Sequence, residues 1–256
     1  ASGNKQLNNA GSAYIFKQIS GIWTQQKKLV ASDRSADDEF GFSVAINGDF
    51  VIVGAYLEDE DVKGANTLSG SGSAYIFKLT AGIWVQQQKI VASDRDIDDH
   101  FGSKVAINGN FAIIGAPQED EDLGGGNKLT NSGSAYIFKQ NSGVWSQQLK
   151  LVAADRAALD NFGYSLDING DYVIVGAPNQ DKDASGANVL ANSGAAYIFQ
   201  QISGVWSQQK KIVAFDRQVS DAFGSRVSIG IDYLIVGASF EDHDVSGANA
   251  LINSGS

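Results

Sequence analysis

The chain has 256 residues and a net charge of −10, with 29 glycines, two prolines, two histidines, and neither cysteine nor methionine. These numbers exclude a disulfide scaffold, a cysteine-bearing metal site and a collagen-like chain, and leave little material for a histidine metal centre. No run of 18 apolar residues exists, so no membrane insertion is expected, and the acidic balance argues against nucleic acid as a partner.

In chain order, the first twelve residues, ASGNKQLNNAGS, align with the last twelve, VSGANALINSGS. Two strands are predicted over about 12–32. A third, FSVAI at 42–46, alternates and ends at Asn47-Gly48, a dipeptide suited to a two-residue type I′ hairpin. DFVIVGA at 49–55 is an apolar, β-branched run expected to be buried on both faces. A long loop leads to SAYIFKL at 73–79, then a short glycine turn and IWVQQQKIVA at 83–92. The pattern then recurs: Phe-Gly stands at 40, 101, 162 and 223, and tyrosine at 14, 75, 136 and 197, always 61 apart. Residues 13–73, 74–134, 135–195 and 196–256 therefore align without a gap. No helical period is present.

Four antiparallel strands, here called A to D from Phe-Gly onward, repeated at a fixed period predict an all-β fold: a four-bladed β-propeller. The blades are about 40–93, 101–154, 162–215, and a composite of 223–244 plus 12–32, which closes the ring within one domain, 1–256. A stacked solenoid would normally use shorter repeats. The same spacing also fits an excerpt of a longer propeller, or two chains that pool their blades.

Phe101-Gly102 with Gly115-Ala116-Pro117, and Phe162-Gly163 with Gly176-Ala177-Pro178, precede a Gly-x-Ala-Tyr-Ile-Phe segment. This arrangement resembles the FG-GAP repeat of integrin α-subunit-type propellers. In the other two copies Tyr56 and Ser239 replace the proline. The segments AYIFK at 135–139 and GVWSQQKKIVAFDR at 204–217 are similar to tandem repeats of secreted or surface proteins of bacteria. The resemblance implies an extracellular or cell-surface setting, adhesion through carbohydrate or protein contact, and often Ca2+. One departure matters. The family's calcium loop lies in the A–B hairpin, where this chain has two turn residues, too few for the six to eight oxygens that calcium takes.

The topology places the B–C and D–A loops on one face. They hold 25 of the 29 acidic residues and eight of the 19 basic ones, so about −17 is expected on that face and +7 elsewhere. Two motifs dominate it. Asp-Arg-x-x-x-Asp-x-Phe-Gly (Asp33, Arg34, Asp38 and equivalents) is read as structural, with arginine pairing a carboxylate to fix one blade against the next. The second is Asp-x-Asp-x-x-Gly-x-Asn in the B–C loop: Asp59, Asp61 and Asn66; Asp120, Asp122 and Asn127; Asp181, Asp183 and Asn188; Asp242, Asp244 and Asn249. Alternate carboxylates and an amide oxygen are ligands for a hard cation, so calcium is a candidate cofactor. The same pattern also suits a solvated loop held by Asx turns, with Leu68, Leu129, Leu190 and Leu251 tucked inward.

Trp23, Trp84, Trp145 and Trp206 open strand D, where an indole could stack on a sugar or pack between blades. On strand A, Lys104 and Arg226 should face each other across the axis with Asp167 nearby, to hold a small anion or plug the channel. His100 and His243 fall at different repeat positions and read as surface substitutions. No nucleophile elbow or raised carboxylate pair is evident, so an enzyme is not expected. The reading is an extracellular, non-enzymatic, lectin-like binding or adhesion module, with several acidic loops contacting carbohydrate or protein together. It would act as a monomer or as part of a larger multidomain protein. The alternative is a scaffold propeller of a larger surface protein, with no small ligand.

Overall fold

The computed structural model describes residues 7–243, and these form strands and loops without a helix. β1 (Ala13–Ile19) and β2 (Ile22–Leu29) pair as a hairpin. Three four-stranded antiparallel sheets follow. The first contains β3 (Ser43–Asn47), β4 (Phe50–Ala55), β5 (Ser73–Thr80) and β6 (Ile83–Ile90). The second contains β7 (Lys104–Asn108), β8 (Phe111–Ala116), β9 (Ser134–Asn141) and β10 (Val144–Leu151). The third contains β11 (Ser165–Asn169), β12 (Tyr172–Ala177), β13 (Ala195–Ile202) and β14 (Val205–Ile212). A last hairpin joins β15 (Phe223–Ile229) to β16 (Leu234–Ala238).

Turn chemistry sets the hairpins. In β3–β4, Asn47 faces Phe50, so the two-residue turn is Gly48-Asp49, one residue later than the dipeptide suggested. Only Gly48 has a positive φ, 55°, which suits the II′ class rather than I′. The I′ signature sits instead in the C–D turns, where Ala81 and Gly82 both have positive φ, as do Ser142 and Gly143. A β-bulge recurs in each C–D pair, at Ile76/Phe77 in the first sheet.

Strand B is buried on both faces as its composition demands: Ile52, Ile113 and Ile174 have no exposed surface. The Phe-Gly and Gly-Ala segments are the two ends of one hydrogen bond, Gly102 N to Gly115 O at 3.0 Å and Gly163 N to Gly176 O at 3.1 Å. Phe40, Phe101 and Phe162 are buried edge-to-face on Tyr75, Tyr136 and Tyr197, with ring centroids 5.4–5.5 Å apart. Each of these tyrosines belongs to strand C of the same repeat. Blade then meets blade through backbone, with Phe101 N on Ser71 O at 3.1 Å and Phe162 N on Ser132 O at 3.0 Å. The A strands β3, β7, β11 and β15 pack in succession, and the loop end of this row encloses a cavity.

The two halves of the predicted fourth blade are separate sheets among the described residues: β1 pairs with β2, β15 with β16, and the halves are not joined by a strand ladder. Tyr14 is 50% exposed and Ile235 is 72% exposed, where their equivalents in complete blades are fully buried.

Candidate functional site

The acidic loops are held by their own donors. Asp61 accepts hydrogen bonds from Lys63 N at 2.8 Å, Ala65 N at 3.1 Å and the Asn66 amide at 2.5 Å. Asp122 and Asp183 repeat the pattern with Asn127 and Asn188. Asp59, Asp120 and Asp181 each cap a backbone amide eleven residues on, at 2.7–2.8 Å. These hydrogen bonds hold the Asp61 and Asp122 carboxyls below the usual carboxylate range, Asp122 at about 2. Asp242 is described at the end of the structure, whereas Asp244, Asn249 and Leu251 lie outside the described residues.

Arginine completes each loop in a way the sequence reading did not foresee. The expected arginine–carboxylate pair is replaced by contacts to backbone oxygen. Arg95 donates to the carbonyls of Asp59 and Asn66 and to the Ser71 hydroxyl. Arg156 and Arg217 do the same in the next repeats. A guanidinium with five fixed donors satisfies loop carbonyls that would otherwise turn to solvent or a cation.

The carboxylate partner is a lysine of strand D. Lys89 contacts Asp33 at 2.9 Å and Glu58 at 2.8 Å; Lys150 contacts Asp94 at 2.8 Å and Glu119 at 2.7 Å. Lys211 pairs with Asp155 at 2.7 Å, and Gln180 stands where the glutamate was. Sequence reasoning missed these groups, although lysine recurs at 28, 89, 150 and 211. Asp94, Glu119 and Glu121 also bring carboxylate oxygens within 4.8 Å of one another, with the Lys150 ammonium bonded to two of the three.

Burial lifts a second carboxylate of the D–A loop. Asp38 is raised to about 6, Asp160 to about 7 and Asp99 to about 8, because desolvation outweighs the backbone amide that each accepts. A carboxyl raised in the fold above its unfolded value near 3.9 stabilises fully below that value and loses its contribution as pH rises towards the folded value. Stability should therefore fall between about pH 4 and pH 8. After solvent screening the three sites should together cost roughly 2 kcal/mol, or about 5 °C in Tm, between pH 5 and 8.5. Calorimetry across that range would give a flat or rising Tm if the groups were ionised in the fold.

The tryptophans divide. Trp145 and Trp206 are buried edge-on against Phe50 and Phe111 of the preceding blade, with centroids 5.5 and 5.8 Å apart. Trp84 is half-buried and Trp23 is exposed.

The cavity at the loop end of the strand A row is about 580 Å³. Lys104 and Arg226 both line it, as strand A periodicity required. Asp167 does not join them; it accepts from the Ser228 hydroxyl at 2.7 Å and Ile229 N at 2.9 Å. Arg226 lies 5.7 Å from the Tyr164 ring centre. Phe42, Tyr56 and His100 form an aromatic wall, Phe42 tilted against Tyr56 with centroids 4.2 Å apart and His100 edge-to-face with Tyr56 at 5.0 Å. His100 is thus half-buried rather than a surface substitution, and burial lowers its pKa. His243 bonds Glu241 through its backbone amide at 2.7 Å. The signal for this wall lay in the copies' differences, with phenylalanine, serine, tyrosine and serine at 42, 103, 164 and 225.

The FG-GAP repeat family matches the chain at residues 23–77, 84–138, 145–199 and 206–256. The protein belongs to the FG-GAP repeat family. The two segments that the repeat is named for are joined here by backbone hydrogen bonds, Gly41 N to Gly54 O, Gly102 N to Gly115 O and Gly163 N to Gly176 O, which tie the entry of strand A to the end of strand B. FG-GAP repeats are typical of extracellular proteins, form propeller-like modules, and are typically non-enzymatic. No helix among the described residues is long and apolar enough to cross a membrane. No curated protein matches the chain.

Proposed function

We propose that this FG-GAP chain is an extracellular, non-enzymatic binding module that takes an anionic carbohydrate at the mouth of its axial cavity. Its repeated blades support a propeller whose fourth blade forms when the β15–β16 and β1–β2 hairpins are joined. One observation carries the ligand reading. Lys104 and Arg226 line the same cavity, and neither makes an ion pair among the described residues. They sit at the centre of an acidic face whose own carboxylates are engaged by loop amides. Tyr56 and Tyr164 beside them give the lining aromatic surface for a sugar to pack on, and Ser43, Ser103 and Gln118 offer hydrogen bonds to its hydroxyls. The acidic loops then surround the mouth and favour a ligand whose charge is confined to one group.

A glycan array read in millimolar calcium and again in chelator should show binding of carboxylated or sulfated glycans over neutral ones. Lys104→Ala with Arg226→Ala should weaken it at least about tenfold, the worth of one charge-assisted hydrogen bond. Equal binding by the double variant would remove the cavity reading. Binding that vanished in chelator would return the cation to the Asp-x-Asp loops. The scaffold reading is favoured by the internal satisfaction of those loops; it requires a blank array and a protein contact of about 1,000 Å² or more.

A further inference from the structure

We propose that copies of this chain join head to tail, the β16 edge of one pairing with the β1 edge of another, so that each completes the other's fourth blade. The proposal concerns assembly and does not rest on the ligand reading.

All four blade-to-blade steps are already made, and made alike. Gly11 bridges Phe40, Gly72 bridges Phe101 and Gly194 bridges Phe223, each as a parallel pair, while Phe162 N bonds Ser132 O as Phe101 N bonds Ser71 O. Four such steps would complete a four-bladed ring, yet among the described residues β1 and β16 stand unjoined, with Tyr14, Phe16, Leu234 and Ile235 exposed. The steps are set by backbone against backbone, which leaves little slack for a tighter turn. Four steps with the ends still unpaired leave the row of blades open, and two copies joined at both ends would supply eight blades, within the range propellers use.

The missing half-blade has a defined chemistry. The 61-residue equivalence sets β16 on β1 with Val236 opposite Tyr14 and Ile235 opposite Ile15, as Val175 faces Tyr197 and Ile174 faces Ile198 in the third sheet. An exposed edge of this kind is a ready template for another strand.

Charge agrees with the register. Lys28, the equivalent of Lys89, Lys150 and Lys211, is exposed and makes no ion pair among the described residues. Joining brings it to Asp216 and Glu241, the equivalents of the carboxylates those lysines hold. The aromatic contacts agree as well. Trp145 on Phe50 and Trp206 on Phe111 become Trp23 on Tyr172 and Trp84 on Tyr233, and Trp23 and Tyr233 are 67% and 86% exposed in a single copy. A head-to-tail contact between identical chains closes into a ring or runs on as a filament, and either uses the same edge.

The chain has no cysteine, so introduced thiols report without background. Tyr14→Cys and Val236→Cys chains should each stay uncross-linked alone, and when mixed and oxidised should give a species of two chains. Light scattering of the unaltered chain should give twice the single-chain mass of 27.1 kDa or a higher multiple. Ile235→Lys should reduce that to the single-chain mass with its β circular dichroism retained, because the side chain is largely exposed in one copy. A Tyr14→Cys/Val236→Cys chain that oxidises only within itself would overturn the proposal in favour of closure inside one chain. An unaltered chain that stays at single-chain mass, or an Ile235→Lys chain that keeps the assembled mass, would overturn it too.

Discussion

Replacing Gly176 by alanine should destabilise the protein by about 3 kcal/mol or more, whereas the same change at Gly126 should stay within about 0.5 kcal/mol. A Cβ at Gly176 would overlap the backbone oxygen of Gly224 in the next repeat and the hydroxyl of Ser165. Ser165 is itself committed, donating to Gly224 O at 2.7 Å. The atoms in the way are therefore backbone and a bonded side chain rather than the free end of a flexible one, and relief requires the third blade to part from β15. Gly54 and Gly115 make the same approach to Gly102 and Gly163, so the motif's first glycine is a spacing element at these three junctions, whereas at Gly237 a Cβ would meet only ordinary contacts. At Gly126 a Cβ would meet nothing within 4 Å, and its φ is not positive. Urea unfolding of the two variants is a direct measure. Equal midpoints would mean that the blades can slide past one another and that the step between them is soft.

This glycine shows why some of the molecule was legible in the sequence and some was not. The 61-residue period placed every strand, because alternation and β-branching report burial locally and the four copies average out accidents. Strand B was read as buried on both faces because Val51 to Ala55 contains no polar residue, and it is. The period also put Lys104 and Arg226 at matching positions of strand A, and both line the one cavity. It could not say whether four blade-to-blade steps make a full turn, since the angle of each step is set by contacts between backbones that every copy shares. The arginine of Asp-Arg was misassigned for a related reason. A carboxylate next to it in sequence looks like its partner, but Asp94 turns to Lys150 across 56 residues while Arg95 reaches the carbonyls of the loop behind. The cavity wall escaped notice because Phe42, Tyr56 and His100 come from two repeats and three motif positions. Only folding brings them together.

Lys150→Met should cost about 3–5 kcal/mol at pH 7, and Lys211→Met markedly less, although the two lysines hold the same position in successive blades. Lys150 neutralises both Asp94 and Glu119, and Glu119 is 1% exposed. Without the ammonium, that carboxylate keeps the Ser134 hydroxyl at 2.5 Å and Glu121 N at 2.7 Å, but its charge has no counter-ion in a desolvated site. The third repeat has already made the compensating change: Gln180 occupies the glutamate position, and Lys211 answers only Asp155, which is half-buried. Glu119→Gln should therefore rescue Lys150→Met, and the coupling read from the double-mutant cycle should be the larger part of the loss. Acid should rescue it as well. Desolvation already pushes the Glu119 carboxyl up with the lysine present, and removing the lysine pushes it further, so the single variant's deficit should shrink as pH falls and Glu119 takes a proton. Urea unfolding at pH 7 and pH 4.5 separates the two ways such a lysine can matter. If its methylenes and their packing on the Tyr136 ring were what counted, methionine would replace them and neither acid nor Glu119→Gln would restore anything. If the charge counts, both will restore it, and the blades that carry glutamate will depend on it more than the blade that carries glutamine.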